Sequence, residues 1–156
     1  MTEVCAESGT AVLPTEADML ALGERLGRGL RAGDVVVLSG PLGAGKTALA
    51  RGIARGMEVA GPVTSPTYVL ARVHRPTRAG SPAMVHVDVY RLLDHGAADL
   101  LAELDSLDLD TDLDDAVAVV EWGEGLVERL ADRHLSVVLT RAPDEETRTA
   151  DWRWSR

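Results

Sequence analysis

A glycine-rich segment at 40–47 constrains the fold of this chain more than any other feature. It reads Gly-Pro-Leu-Gly-Ala-Gly-Lys-Thr and fits the G-x-x-x-x-G-K-[ST] pattern. An apolar run at 35–38 precedes it and predicts a buried strand, and a helical pattern follows it directly. Strand, loop and helix in this order predict a phosphate-binding loop, in which backbone N–H groups and a helix N-terminus surround an anion.

The end of this loop carries the predicted contacts to a nucleotide. Lys46 is expected to reach the outer phosphates, and the Thr47 hydroxyl is expected to bind a Mg²⁺ ion that bridges them. Lys46 is also the only lysine in the chain, which indicates that the position requires a compact ammonium group. The predicted nucleotide-binding residues of the loop are Gly43, Ala44, Gly45, Lys46, Thr47 and Ala48. Apart from Lys46, no cation is expected beside the loop, because Arg51 should point away from it.

Length and composition predict a single domain over 1–156, with 1–13 as a flexible N-terminal segment. The chain is 46% hydrophobic and 3% aromatic and has no Phe. A core of Val, Leu, Ala and Ile suits a parallel sheet with helices on both faces. The last predicted strands, 135–140 and 148–154, are joined by a polar turn and predict an antiparallel edge. The predicted fold is therefore α/β and P-loop NTPase-like, mainly parallel with antiparallel edge strands.

Charge, cysteine content and hydropathy exclude several classes of protein. A net charge of −9 argues against a broad basic surface for nucleic acid, so direct RNA contact would need a local patch. Cys5 is the only cysteine, which excludes a disulfide or a thiolate metal site within one chain. No basic signal region and no apolar run of membrane-spanning length occur, which predicts a cytoplasmic protein without membrane contact.

A helix is predicted before the glycine-rich loop. Thr15 is its expected N-cap, and Asp18 stands at the capping-box position. Apolar residues from Met19 onward share one helical face, and Gly33 is expected to end the element. Packing of this helix on the sheet is the simplest interpretation, and contact between its start and a nucleotide base is the alternative.

Two carboxylates lie at or near the ends of predicted strands. For Asp88, a solvated strand end and a position facing Mg²⁺ and the γ-phosphate fit the spacing equally well. Glu121 ends a continuous apolar run, and a buried carboxylate without a partner is costly, so we expect it to complete a metal shell with Thr47. His86 is interpreted as structural, because no second His or Cys lies at metal-ligand spacing.

Several segments together resemble one family, the bacterial TsaE proteins, also called YjeE. The matching segments are 42–47 in the loop, Thr-Ser-Pro-Thr-Tyr at 64–68, His-Val-Asp-Val-Tyr-Arg-Leu at 86–92, and Glu-Trp at 121–122. The loop alone indicates only a superfamily, whereas the segments at 64–68 and 86–92 make the resemblance specific. It extends from about residue 14 to residue 154.

The resemblance implies a P-loop ATPase that acts in tRNA threonylcarbamoyladenosine biosynthesis. It implies that ATP and Mg²⁺ are the cofactors, that Thr47 and Glu121 hold the metal, and that Trp122 packs near the nucleotide. The implied catalytic residues are Lys46, Asp88 and Glu121. A switch-like segment would comprise Thr64, Ser65, Pro66, Thr67 and Tyr68. The implied partners are the TsaD and TsaB proteins, which modify adenosine 37 of tRNA, so contact with tRNA would be indirect.

Three positions depart from the family pattern. Many members have Asp at the position of Pro41 and Pro at the position of Gly123, and relatives often have Thr at the position of Met19. Pro41 and Gly123 need no side chain for phosphate contact, so we expect changed loop stiffness and intact chemistry. Because Met19 replaces Thr, the sequence does not identify which residues contact the nucleotide base.

Other functions of a P-loop chain make different demands on the sequence. A small-molecule kinase needs a lid, for which Arg72, Arg75 and Arg78 are the candidate charges. A GTP switch commonly needs an Asn-Lys-x-Asp or Thr-Lys-x-Asp segment, which a chain with Lys46 as its sole lysine lacks. A nucleotide-gated docking module overlaps with the function that the resemblance implies, and the sequence does not separate the two.

Overall fold

The structure is a computed structural model that describes residues 8–41, 44–60, 71–88, 115–121, 134–142 and 145–155. These residues form a mixed sheet and two helices. The elements are β1 (Ser8–Leu13), α1 (Glu16–Arg28), β2 (Val35–Ser39), α2 (Lys46–Met57), β3 (Ala71–His74), β4 (Ala83–Asp88), β5 (Ala116–Glu121), β6 (His134–Arg141) and β7 (Arg148–Ser155). None of the described helices is long and apolar enough to span a bilayer.

The sheet has the strand order β1-β7-β6-β2-β5-β4-β3. Its centre is parallel, because β2 pairs in parallel with both β5 and β6, and β4 pairs in parallel with β5. Both edges are antiparallel, with β7 between β1 and β6 on one side and β3 beside β4 on the other. The predicted α/β fold with a mainly parallel centre and antiparallel edges is therefore confirmed.

The N-terminal part of the chain is more ordered than the sequence predicts. Residues 8–13 form β1, so a flexible segment extending to residue 13 is wrong for these residues, while 1–7 lie outside the described residues. β1 pairs antiparallel with β7, and the Thr10 hydroxyl donates a hydrogen bond of 2.6 Å to the Asp151 carboxylate. The alternation of more and less exposed residues in β1 is short and does not by itself predict a strand. The partner strand, β7, lies near the other end of the sequence and cannot be identified from local patterns.

The predicted capping box of α1 is present. The Thr15 side chain accepts a hydrogen bond from the Asp18 backbone N–H, and the Asp18 carboxylate accepts one from the Thr15 N–H. The helix ends at Arg28 with Gly29 as its C-cap, which is earlier than the predicted end at Gly33. Gly33 instead has a φ of +91° and precedes β2.

Glycines bring α1 and α2 into direct backbone contact. Gly23 and Gly27 lie one turn apart on α1, and Gly52 and Gly56 lie one turn apart on α2. A Cβ atom added at Gly52 would lie 2.5 Å from the carbonyl oxygen of Leu20, and one added at Gly23 would lie 2.6 Å from that of Leu49. Neither distance is compatible with a side chain, so the two helices approach as closely as they do because these positions are glycine.

The two helices share a core with one face of the sheet. Leu49 and Ile53 of α2 are fully buried in a cluster with Leu38, Met84 and Val119 from the central strands. The opposite face of the central strands is also buried, for example at Val37, Val85 and Val120. Burial on both faces explains why the central strands have near-continuous apolar sequences.

Candidate functional site

The glycine-rich loop lies between β2 and α2, in the predicted order of strand, loop and helix. Gly45 is the N-cap of α2 and has a φ of +102°, a conformation that favours glycine. Because Gly45 has no side chain, it cannot cap the helix as Ser or Asp would, which leaves the first N–H groups of α2 for a ligand. Leu42 and Gly43 lie outside the described residues.

Lys46 is folded back over this loop and is 6% exposed. Its ammonium Nζ donates hydrogen bonds to the carbonyl oxygens of Gly40 at 2.8 Å and Pro41 at 3.0 Å. These contacts offset part of the cost of removing the charge from water and fix it across the mouth of the loop. Pro41 takes part through its backbone carbonyl.

The remaining described residues of the loop surround the start of α2. Ala44 is buried, and its N–H donates to the Pro41 carbonyl at 3.1 Å. Thr47 and Ala48 lie in the first turn of α2 and are partly exposed. Thr47 therefore stands in the first turn of α2 with part of its surface open to solvent, and its hydroxyl is the candidate oxygen ligand for a metal.

Glu121 is the last residue of β5. It lies at the carboxyl ends of the parallel strands, where the loop also lies. It pairs with Leu38 of β2, directly before Ser39 and the loop. The residue is only 4% exposed, and its Oε2 lies 2.6 Å from Nε2 of His86. The buried carboxylate thus has the partner that its burial requires. From sequence, this partner is predicted to be structural and not a ligand.

The pairing of His86 with Glu121 follows from the sheet register. β4 and β5 are neighbouring parallel strands in which His86 is opposite Val119 and Asp88 is opposite Glu121. Since side chains alternate along a strand, His86 and Glu121 project from the same face, two positions apart. The partners are 35 positions apart in sequence, so only knowledge of the strand order would have revealed the contact.

Asp88 is the last residue of β4, and its backbone lies beside that of Glu121. The predicted catalytic positions Asp88 and Glu121 are therefore neighbours at the edge where β2 enters the loop. Trp122, Gly123 and the proposed switch residues 64–68 lie outside the described residues, and their assignments stay predictions.

A second cation, which the sequence does not predict, lies beside the loop. A Cβ atom added at Gly45 would lie 3.6 Å from Cδ and 3.7 Å from Nε of Arg148, the first residue of β7. The expectation that Lys46 is the only cation near the loop is therefore wrong. Arg51, by contrast, pairs with Glu16 at 3.3 Å, which agrees with the expectation that it points elsewhere.

Met19 of α1 also contacts the loop. Its Cε lies 2.9 Å from the position of a Cβ atom added at Gly45, so the methionine packs against the start of α2. Met19 is thus part of the wall of the loop. No sequence signal identifies either Met19 or Arg148 as a neighbour of Gly45, because both contacts arise from the packing of distant elements.

The oxygen ligands offered by Thr47 and Glu121, at the carboxyl ends of the parallel strands, fit Mg²⁺. Thr47 and Glu121 offer a hydroxyl and a carboxylate oxygen, the hard ligands that Mg²⁺ prefers. The hydrogen bond of Glu121 to His86 uses Oε2, so a metal or its water would be bound through Oε1. Within the described ranges, no group of three His, Cys, Asp or Glu could hold a metal unaided. Mg²⁺ usually keeps several waters and phosphate oxygens in its shell, so two protein ligands are compatible with it.

Comparisons with known proteins agree on one family. The family model described as "Threonylcarbamoyl adenosine biosynthesis protein TsaE" matches residues 13–150. A Mycobacterium bovis protein named "tRNA threonylcarbamoyladenosine biosynthesis protein TsaE" is 72% identical over 148 residues, covering 95% of this chain and 88% of the relative. A Bacillus subtilis protein of the same name is 35% identical over 117 residues, covering 74% and 67%. Among solved structures, Bacillus subtilis YdiB matches with a TM-score of 0.68 and 25% identity, covering 95% of this chain and 85% of that one.

Proposed function

Because the chain belongs to the TsaE family, we propose that it is a Mg²⁺-dependent ATPase that serves the threonylcarbamoyl modification of adenosine 37 in tRNA. The family takes part in tRNA threonylcarbamoyladenosine biosynthesis, and a P-loop nucleotide-binding site is consistent with it. The observation that carries the proposal is the buried Lys46 ammonium, held across the loop at the sheet edge where Glu121 ends β5.

Different groups of the chain contact the phosphates and the metal. The N–H groups at the start of α2 bind phosphate oxygens, and the Lys46 ammonium lies where it can follow charge on the outer phosphates. Thr47 and Glu121 are the protein ligands for Mg²⁺, which when bound neutralises charge on the phosphates. Asp88, beside Glu121 at the strand ends, is the residue proposed to orient the attacking water.

Turnover by the protein alone is proposed to be slow. A P-loop ATPase gains most of its rate from the positioning of charges and of the attacking water in a site that excludes solvent. We expect a complex of TsaD and TsaB to complete the site by ordering residues 64–68 or by positioning Asp88. Contact with tRNA would then be made through that complex, in agreement with the chain's net charge of −9. We place this activity in the cytoplasm, where the family acts in general.

The small-molecule kinase alternative loses support from the position of Arg78, one of its three candidate lid residues. Arg78 forms an ion pair of 2.9 Å with Glu58, which directly follows the C-terminus of α2. The phosphate-binding loop is at the opposite end of α2, roughly 18 Å away at a rise of about 1.5 Å per residue. Arg78 is therefore not placed to close over phosphates.

The proposal is tested by measuring ATP turnover with and without a purified TsaD–TsaB complex, in Mg²⁺ and in EDTA. We expect slow release of phosphate by the protein alone, a marked increase with the complex, and loss of both rates in EDTA. Fast turnover by the isolated protein, or transfer of phosphate to a metabolite, would overturn the proposal.

A further inference from the structure

The hydrogen bond between His86 and Glu121 is short and closed to solvent. The side chain of His86 is completely buried and that of Glu121 is 5% exposed, with 2.6 Å between Nε2 and Oε2. With the proton on Nε2, the imidazole donates this hydrogen bond to the carboxylate oxygen. A short distance is expected when the acceptor is charged.

The two partners differ in how firmly they are held. His86 lies inside β4, which is paired on one side with β3 and on the other with β5. Glu121 is the last residue of β5, where the ladder to β2 also ends. The imidazole is therefore the fixed partner, and the carboxylate at the strand end is the one whose orientation needs support.

Stability alone does not account for this pair. Replacing a buried polar pair by apolar residues of similar shape is often neutral or stabilising. Such a pair therefore contributes little to the free energy of folding compared with apolar packing. Met84 and Val119, which lie on the same face as His86 and Glu121, are apolar and fully buried. An imidazole directed at a carboxylate next to the phosphate-binding loop fits a role in that carboxylate's function better.

We propose that His86 is a positioning residue that holds Oε2 of Glu121 and thereby presents Oε1 to Mg²⁺ or to a water bound to it. This inference rests on the proposed function, since it assigns a task to His86 only if Glu121 serves the metal. An outer-shell partner fixes the rotamer of a ligand before the metal arrives, which lowers the cost of ordering it on binding. His86 does not touch the metal or the nucleotide in this scheme.

The primary test is the Mg²⁺ dependence of ATP binding in His86 variants. His86→Gln places an amide N–H near the former position of Nε2 and retains the hydrogen bond, whereas His86→Asn is too short to do so, and His86→Leu offers no donor. By calorimetry, we expect ATP binding in EDTA to be the same in all variants. The Mg²⁺ concentration for half-maximal enhancement should rise about 10- to 100-fold in His86→Asn and His86→Leu, the usual loss for an outer-shell partner. His86→Gln should recover most of the wild-type value.

A double-mutant cycle separates positioning from a general structural effect. If His86 acts only through the carboxylate, His86→Leu should add little to the loss of Mg²⁺ dependence already caused by Glu121→Gln. A folding defect would instead lower ATP binding in EDTA in every background. If His86→Leu does not fold, the comparison of His86→Gln with His86→Asn carries the same test.

A nucleotide-free measurement gives an independent readout. In protein with ¹⁵N-labelled histidine, the proton on Nε2 of His86 should give a downfield resonance that disappears or moves sharply upfield in Glu121→Ala. Absence of that resonance in the wild type, or Mg²⁺ half-saturation within twofold of wild type in folded His86→Asn, would overturn the inference. If wild-type protein binds no ATP at all, the proposed function fails as well. If it binds Mg²⁺ and ATP while His86 variants behave like wild type, only the positioning role fails.

Discussion

Lys46 and Glu121 carry buried charges of opposite sign near the carboxyl ends of the central parallel strands. Their charged groups are held by different kinds of contact. The ammonium of Lys46 bonds to carbonyl oxygens of Gly40 and Pro41, within its own loop. The carboxylate of Glu121 bonds to His86, which lies 35 positions away on a neighbouring strand. One charge is thus held by a local backbone conformation and the other by the tertiary arrangement of the sheet.

This difference determines how each position responds to substitution. Carbonyl groups at the mouth of a loop can bond to water when the ammonium is removed, so the loss of Lys46 should affect function more than folding. The imidazole of His86 is fully buried and has no such replacement. The loss of the Glu121 side chain should therefore affect both folding and function.

The largest expected effect is that of Lys46→Ala on ATP hydrolysis. We expect the partner-stimulated rate to fall by ~100-fold or more, because the ammonium stabilises charge that develops in the transition state. Thermal unfolding should change little. Lys46→Arg is the matched control: a guanidinium is planar and bulky, so we expect the same loss although the charge is kept. Wild-type turnover in Lys46→Ala would contradict the assignment of the site.

Substitutions of Glu121 separate its structural role from its metal-binding role. Glu121→Ala should lower the free energy of unfolding by about 1–3 kcal/mol, since it leaves a buried donor of His86 without a partner. Glu121→Gln retains an oxygen acceptor of the same shape and should lose less stability, yet both variants should lose the Mg²⁺ dependence of ATP binding. Urea unfolding together with calorimetry measures the two properties. Equal stability of Glu121→Ala and wild type would mean that the His86 contact is not maintained in solution.

The backbone contact between the helices supports the Lys46 side of the site. Gly52→Ala places a methyl group against the carbonyl of Leu20, and overpacking of this kind costs about 1–3 kcal/mol in the free energy of unfolding. Arg55→Ala on the same helix is the control, because Arg55 is exposed and its replacement should change stability by less than about 0.5 kcal/mol. Equal unfolding midpoints for the two variants would show that the helices separate easily.

The smallest expected effect is that of Arg78→Ala. Its ion pair with Glu58 is solvent-exposed, with the Arg78 side chain 70% accessible, and such pairs contribute about 0–1 kcal/mol. We expect unchanged ATP turnover with and without the partner complex. A strong loss of turnover would place Arg78 in the site and would support the alternative that the protein is a small-molecule kinase with Arg78 in its lid.

The sequence predicts those parts of the molecule in which neighbours along the chain determine the structure. The glycine-rich loop, the Thr15–Asp18 capping box and the apolar run that ends in Glu121 are all local patterns. The capping box, the apolar run and the described residues of the loop, 40–41 and 44–47, have the predicted structure. The need of Glu121 for a partner also follows from burial alone. Its partner does not, because several buried polar residues were available and only the pairing of β4 with β5 selects His86.

The features that the sequence did not predict all depend on distant elements. Arg148 reaches Gly45 because β7 lies beside β6, and Met19 reaches it because glycines allow α1 to contact α2. Each glycine pair has a visible spacing of four residues, but this spacing identifies an interface only when both helices are considered together. The same limitation explains the N-terminal strand, whose partner is at the other end of the described chain.

The pairing of β1 with β7 also sets an order of events during synthesis. Thr10 and Asp151 bond across the ladder although 141 positions separate them, so the ribosome makes β1 long before its partner strand exists. Domains that fold during translation assemble from the segments already available. β1 must remain unpaired while the central strands and the loop at 40–47 form, and its addition then closes the exposed edge of β7, where unpaired backbone groups would otherwise favour association with other chains. The same separation gives the pairing a high loop-closure entropy in the full-length chain, so in a pulse-labelled hydrogen-exchange experiment on refolding β1 should also acquire protection after β2 and β5.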